Sequence, residues 1–326
     1  MSAPSISVVI TAYNEGAEVR RTLESVMRAT SGLAEVIVVD DGSDDGSCDA
    51  LAAGLVRVLR HERRVGVAYS RDEASRLATG DVIAYLDGHQ RLSPQCLDEC
   101  ARLAIQERAI VSPDVRDDRL FAMKLHGAEF RLCPQQGFFS ARWRQSFCFR
   151  RVTPVTGLRA PPYVVPRLLY ANLAWSPVLR GWGASEASIA LKSFFLGVPI
   201  LHFKGPCARH RFRQRFPYPT TWEEIWRNQA ILARICFDES TWFEYWLPRV
   251  FQPNLSQEAI AMLESSKIED EHRDFAAKKL RHDVDFWTKL LRCPPPAEVE
   301  ARPSVQACPP RNANASSSVG HSEAAS

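Results

Sequence analysis

Asp81-Val82-Ile83-Ala84-Tyr85-Leu86-Asp87-Gly88-His89 is an apolar run that ends abruptly in a carboxylate and an imidazole. Its apolar part suits a strand buried on both faces of a parallel sheet. Ser5–Thr11 (SISVVIT), Glu35–Asp40 (EVIVVD), Val56–Arg60 (VRVLR) and Ala109–Val115 (AIVSPDV) have the same texture. Between them, Glu15–Ala29, Ser43–Ala53, Val67–Ala78 and Pro94–Gln106 show helical periodicity. Ser93 as N-cap and Pro94 at the first helical position would start the last of these. Strand and helix alternating with short connections predict an α/β fold, a doubly wound and mostly parallel sheet. No G-x-G-x-x-G follows the first strand, which disfavours a dinucleotide-binding domain.

Outward from this core, residues 116–180 are rich in Arg, Phe, Trp and Pro and read as a loop-heavy insertion with short strands, carrying substrate contacts. A helix over Ser185–Leu196 and a strand over Pro199–Phe203 return to the earlier pattern. The predicted organisation is a main domain over 1–220, a helical extension over 221–292 and a disordered tail over 293–326. In the extension, Thr221–Ala233 and Ser256–Leu291 have amphipathic helical character. The tail is Pro-, Ser- and Ala-rich and lacks the large apolar residues that would offset its ordering entropy.

The 326 residues are 45% hydrophobic and 24% charged with a net charge of +3, an ordinary globular composition that gives no reason to expect a nucleic-acid partner. The first residues lack the charged start and apolar stretch of a signal peptide, and no apolar run reaches the length of a transmembrane segment. Nine cysteines, an odd number without repeated short spacings, read as reduced thiols. Together these predict a cytoplasmic setting.

Three strand ends carry the chemistry. In an open α/β sheet ligands bind at the carboxyl ends of the strands. Alternation puts Asp87 and His89 on one face, where an oxygen and a nitrogen suit a divalent cation such as Mn²⁺ or Mg²⁺. His210, after a predicted strand, is the candidate third ligand. Asp40-Asp41-Gly42-Ser43 offers carboxylates for a base or ribose, or simply a turn and cap. Thr11-Ala12-Tyr13-Asn14-Glu15 offers Tyr13 for stacking, or simply a strand-to-helix connection.

TAYNE, VVDDGS, the Glu62–Arg71 segment and YLDGH resemble the nucleotide-sugar half of a glycosyltransferase with the A-type fold. The D-x-H form of the metal motif is similar to that of the polypeptide N-acetylgalactosaminyltransferases. Ile110–Asp118, Gln136–Trp143, Gly181–Glu186, His210–Tyr218 and Arg227–Trp246 follow in that family's order, so the resemblance spans roughly residues 5 to 246. It implies a Rossmann-like nucleotide-diphospho-sugar transferase fold and a UDP-sugar donor. Asp87, His89 and His210 would hold Mn²⁺. Thr11, Ala12, Tyr13, Glu15, Asp40, Asp41, Arg64, Ser70, Arg71, Gly88 and Tyr218 would form the nucleotide site. Arg213 would close over the β-phosphate and Trp182 would gate the mouth. The acceptor would be a hydroxyl of a peptide or a saccharide, and the transfer retaining.

Departures accompany the resemblance. Where the family has a Gly-Gly pair ahead of Leu-Phe, this chain is read as Val164-Val165-Pro166-Arg167-Leu168-Leu169 along the donor sugar. Trp182-Gly183-Ala184-Ser185-Glu186 stands for W-G-G-E-N, and Gln214 for a Lys. That family's lectin domain, stem and anchor are not expected here. Glu186 stands at the position of the base in inverting relatives, which leaves an inverting reading open beside a helix-capping role. A nucleotidyltransferase is disfavoured because TAYNEG has no Gly-rich phosphate loop, whereas a non-catalytic UDP-sugar-binding protein is a third reading.

Overall fold

The chain is described here by a computed structural model covering residues 3–118, 124–133, 138–144, 150–213 and 218–300, with the Glu300 side chain excepted. Among the described residues the strands are β1 (Ile6–Ala12), β2 (Leu33–Asp40), β3 (Val56–Arg60), β4 (Val82–Asp87), β5 (Gln90–Leu92), β6 (Ile110–Asp117), β7 (Lys124–Leu125), β8 (Ala128–Cys133), β9 (Phe138–Trp143), β10 (Val152–Val155), β11 (Tyr163–Pro166) and β12 (Ile200–His210). The main helices are α1 (Glu18–Ala29), α2 (Val67–Leu77), α3 (Cys96–Glu107), α4 (Arg167–Leu173), α5 (Ser185–Phe195) and α6 (Trp222–Cys236).

The central sheet runs β3-β2-β1-β4-β11-β6-β12-β10, and its first four strands are parallel. Alternate residues of these strands feed opposite layers, as the pleat requires. Val9, Val39 and Tyr85 pack into the layer that holds α2, α5 and α6, whereas Val8, Val38 and Leu86 pack under α1 and α3. Cys96 and Cys100 are fully buried in α3, where their thiols pack in the core. Among the described residues no helix is long and apolar enough to cross a membrane.

Two local expectations are corrected. Ser43–Ala53 is a series of turns, because polar side chains claim its amides before a helix can. Asp40 accepts from the Ser43 N–H and Asp45 from the Ser47 N–H, each at 2.9 Å. Ser93 does not cap α3: its hydroxyl accepts from the Cys207 N–H at 3.0 Å, and the helix begins at Cys96.

The described parts of residues 116–180 form short strands, as expected. The apolar β11 inserts antiparallel between β4 and β6, and β10 joins the far edge. Asp117 closes the register of β6 against His210. The Arg-rich stretch Arg142–Arg159 straddles residues 145–149, which lie outside the described set; Arg142 itself pairs with Glu129 across the β8–β9 hairpin.

Residues 222–291 share the main core. Phe237 stacks on Phe139 with centroids 6.3 Å apart, and Trp246 on Trp287 at 5.6 Å. The helical character expected over Ser256–Leu291 takes the form of three segments, Gln257–Leu263, Ser266–Ala276 and Asp283–Leu291, the first capped by the Ser256 hydroxyl. The tail predicted over 293–326 lies outside the described residues from 301 onward.

Candidate active site

β4 carries Asp87 to the carboxyl edge of the sheet, level with Thr11 at the end of β1. The chain turns at Gly88, whose N–H donates to the Thr11 carbonyl at 3.0 Å. A Cβ at position 88 would meet Glu15 Cγ at 2.7 Å, so only glycine lets the turn lie against that side chain. β12 delivers His210 from the other half of the sheet, and its Nε2 lies 3.1 Å from Asp87 Oδ2. The His89 and His210 rings are 4.9 Å apart, and ligand atoms of Asp87, His89 and His210 all lie within 4.8 Å of one another.

This donor set fits a divalent cation. Both Glu15 oxygens lie 3.1 Å from His89 Nδ1, which assigns the proton there and leaves Nε2 a free lone pair. Arg213 also bonds Glu15, so that carboxylate joins Arg213 to His89. Burial disfavours charge on Asp87, but the His210 hydrogen bond and the Arg71 charge hold its carboxyl well below the ordinary range. It is poised as an anion.

Arg71 organises the interior side of the site. Its side chain is 2% exposed; Nη2 donates to Asp87 Oδ1 at 2.8 Å and Nη1 to Glu186 Oε1 at 2.6 Å. Nη1 also reaches the Tyr163 hydroxyl at 3.2 Å. Burial opposes the charge, yet Tyr163, Glu186 and Asp87 outweigh it and raise the pKa further. Ser185 donates to the other Glu186 oxygen, so both oxygens of this first-turn residue of α5 are engaged.

The remaining expected residues fall into two groups. Tyr13, Arg64 and Tyr218 converge: the Tyr13 and Tyr218 rings meet edge-on at 5.5 Å, and the Arg64 guanidinium lies 4.5 Å over Tyr218. Burial raises the Tyr218 pKa, so its hydroxyl keeps its proton. Asp40, Asp41, Ala12 and Ser70 build the wall instead. Asp40 is fully buried beside Arg60, and Asp41 accepts from the Val65 and Gly66 amides at 2.9 Å each. The Ala12 carbonyl receives the Asp41 N–H at 2.9 Å, while the Ser70 hydroxyl donates to the Gly66 carbonyl at 3.0 Å inside α2.

Val164–Leu169 does not lie along the site. β11 runs antiparallel to β4, pairing Tyr163 with Tyr85 and Pro166 with Val82, so this stretch travels away from Asp87 toward the opposite end of the sheet. Pro161, Pro162 and Tyr163 are the residues near the Asp87 end, and Gln90 donates to the Pro161 carbonyl at 2.5 Å. Gln214 lies outside the described residues.

Comparison with known proteins agrees with this geometry. The family model for Glycosyl transferase family 2 matches residues 7–159. Polypeptide N-acetylgalactosaminyltransferase 8 of Drosophila melanogaster is 30% identical over 270 residues, 72% of this chain and 44% of that protein. A crystal structure of GalNAc-T7 with UDP, GalNAc and Mn²⁺ superposes with a TM-score of 0.70 at 20% identity, over 89% of this chain and 57% of that one. S. aureus TarS 1-349 in complex with UDP-GlcNAc gives 0.50 at 16% identity, over 84% and 81%. The chain has the A-type fold of glycosyltransferases. It spans less than half the length of the first curated relatives it matches.

Two residues near the site escape motif reading. Glu224, on α6, accepts from the Trp182 N–H at 2.6 Å and lies 3.4 Å from Arg64, tying the two residues together. In the sequence it shows only as the third residue after Thr221, a capping pattern that the structure also forms. His61 bridges Asp41 and Glu73 at 2.9 and 2.7 Å, and no motif signals it. Beside Glu15 an open cleft of about 820 Å³ is lined by Asn14, Asp45, Asp117, Arg211 and Arg213.

Proposed function

We propose that the protein is a metal-dependent glycosyltransferase that moves a sugar from a UDP-sugar to a hydroxyl acceptor with retention at the anomeric carbon. The observation that carries this reading is the convergence of Asp87, His89 and His210 at the carboxyl edge of the sheet. These residues would hold Mn²⁺, and the bound ion would supply positive charge to the departing diphosphate. Tyr13 stacks on the uracil, and the Tyr218–Arg64 pair covers it. Arg213 faces the same phosphates, adding a guanidinium where negative charge grows. Trp182, held by Glu224 and by Asn228 at 3.0 Å, limits water at the mouth.

The Arg71 ion pair favours retention over inversion. Arg71 and Ser185 each engage one oxygen of Glu186, which ties that carboxylate to the buried guanidinium and supports a positioning role for it. In the retaining reading a donor phosphate oxygen takes the acceptor proton, and Glu186 fixes Arg71 behind Asp87. A peptide Ser or Thr is the proposed acceptor, since the curated relatives carry polypeptide transferase names.

The test is a panel of UDP-sugars with Mn²⁺ or Mg²⁺, scored for UDP release with and without Ser/Thr peptides or saccharides. Turnover should depend on the cation and fall at least a hundredfold in Asp87→Ala. Product of inverted anomeric configuration would transfer the base role to Glu186. UDP-sugar binding with no release under any condition would leave a binding protein, and the proposal would fail.

A further inference from the structure

β12 carries a second histidine, His202, toward the middle of the sheet. It pairs with Ser112 of β6, after which the register shifts, so that Cys207 rather than Lys204 faces Asp114. The three extra residues form a bulge that turns the Gly205 N–H onto Asp114 Oδ2 at 3.3 Å. Asp114 Oδ1 is left for two imidazoles. His202 Nε2 and His126 Nδ1, the latter from the segment after β7, each lie 2.8 Å from that one oxygen.

The three ligand-type atoms lie within 4.8 Å of one another. Asp114 and His202 are 0% exposed, whereas the His126 side chain is 19% exposed and gives the group an entry side. The arrangement repeats that of Asp87, His89 and His210. In both, a buried strand histidine turns Nε2 to an aspartate, its Nδ1 is buried without a hydrogen-bond partner, and a second, partly exposed histidine completes the set. Lys124 Nζ, 3.7 Å from Oδ2, stands on the side of the carboxylate away from the histidines' shared oxygen.

We propose that Asp114, His126 and His202 form a second transition-metal site, taking Zn²⁺ through two imidazole nitrogens and one carboxylate oxygen, with the outward position open to water. Two imidazoles and a carboxylate are an ordinary three-residue ligand set for zinc. Ligand atoms around a tetrahedral zinc stand about 3.3 Å apart, so the ion enters by opening the two Asp114 contacts by about half an ångström. Gly205 and Lys124 then hold the carboxylate from behind, the support that ligating carboxylates usually receive. The site lies roughly 10 Å from His210, three residues of β6 away at strand rise. Its ion would clamp β6, the bulged β12 and the His126 segment, fixing the strand that delivers His210.

The test is metal content after equilibration of the purified chain with Zn²⁺ or Co²⁺, buffered by a competing chelator to suppress surface binding. Wild type should retain two ions per chain, Asp87→Ala and His126→Ala one each, and the double variant none. His126→Ala is the variant of choice, since the ring is partly exposed and its loss leaves the buried pair intact. Co²⁺ bound to Asp87→Ala should give a visible low-coordination spectrum that His126→Ala/Asp87→Ala lacks. Zn²⁺ should raise the melting temperature of Asp87→Ala but not of the double variant. A single ion in wild type, or two in His126→Ala, would overturn the proposal and leave a hydrogen-bonded Asp–His cluster.

Discussion

Arg71 Nη1 donates to Glu186 Oε1 at 2.6 Å, across 115 residues of sequence. The same guanidinium reaches Asp87, so one buried cation links the candidate base of an inverting mechanism to a candidate metal ligand. The link is the basis of the holding role proposed for Glu186.

Removing that cation should be costly. Arg71→Met leaves two carboxylates facing an apolar side chain, and breaking a buried pair in this way costs about 3–5 kcal/mol. Urea unfolding of wild type and variant measures the loss. A difference below about 1 kcal/mol would show that the pair is dispensable.

Glu186→Gln keeps an oxygen for Arg71 but has no basicity. If Glu186 only positions Arg71, UDP-sugar turnover should fall less than about tenfold, whereas loss of a general base costs 10²–10⁴-fold. Steady-state kcat of the two proteins, with the same donor and acceptor, decides between these roles.

Gly88→Ala should separate the loop from the fold. The new methyl meets Glu15 Cγ at 2.7 Å and drives Glu15 from His89 and Arg213. Overpacking of this kind costs about 1–3 kcal/mol, and the Mn²⁺ concentration for half-maximal UDP release should rise as well. Unchanged Mn²⁺ dependence would remove Glu15 from the support of the site.

Glu35 makes acid stability a readout of the sheet's other end. It accepts from the Ser7 and Thr79 hydroxyls and the Thr79 N–H, each at 2.7 Å. Burial alone would raise its pKa, but these bonds and Arg57 lower it from 4.5 to about 2. A depressed folded pKa means that the stabilisation is full above 4.5 and is lost as pH falls toward 2. Glu35→Gln should therefore be less stable by about 1–3 kcal/mol at neutral pH, with the gap closing through that acid window. A gap independent of pH in thermal unfolding would refute the assignment.

The parallel strands were legible because burial on both faces leaves an unmistakable apolar run, as in Val82–Leu86. Ser43–Ala53 was not, because apolar spacing there competes with Asp40 and Asp45, whose side chains bind nearby amides. The path of Val164–Leu169 was equally hidden: an apolar strand reads the same in either direction, and only its antiparallel pairing with β4 carries it away from the site. Resemblance brought forward Asp41 and Ser70 as ligand contacts, yet the structure places their polar atoms on the Val65–Gly66 backbone.

By itself, the sequence determined that Asp87, His89 and the strand-end motifs lie along one edge of an α/β sheet, since side-chain alternation and strand order are local properties. Only the tertiary structure decided what each charged group touches. Arg71 meets Glu186, Glu224 meets the Trp182 amide, and His202 meets Asp114 across 115, 42 and 88 residues respectively. Ion pairs and hydrogen bonds act over a few ångströms, and chain separation carries no record of them until the sheet has closed.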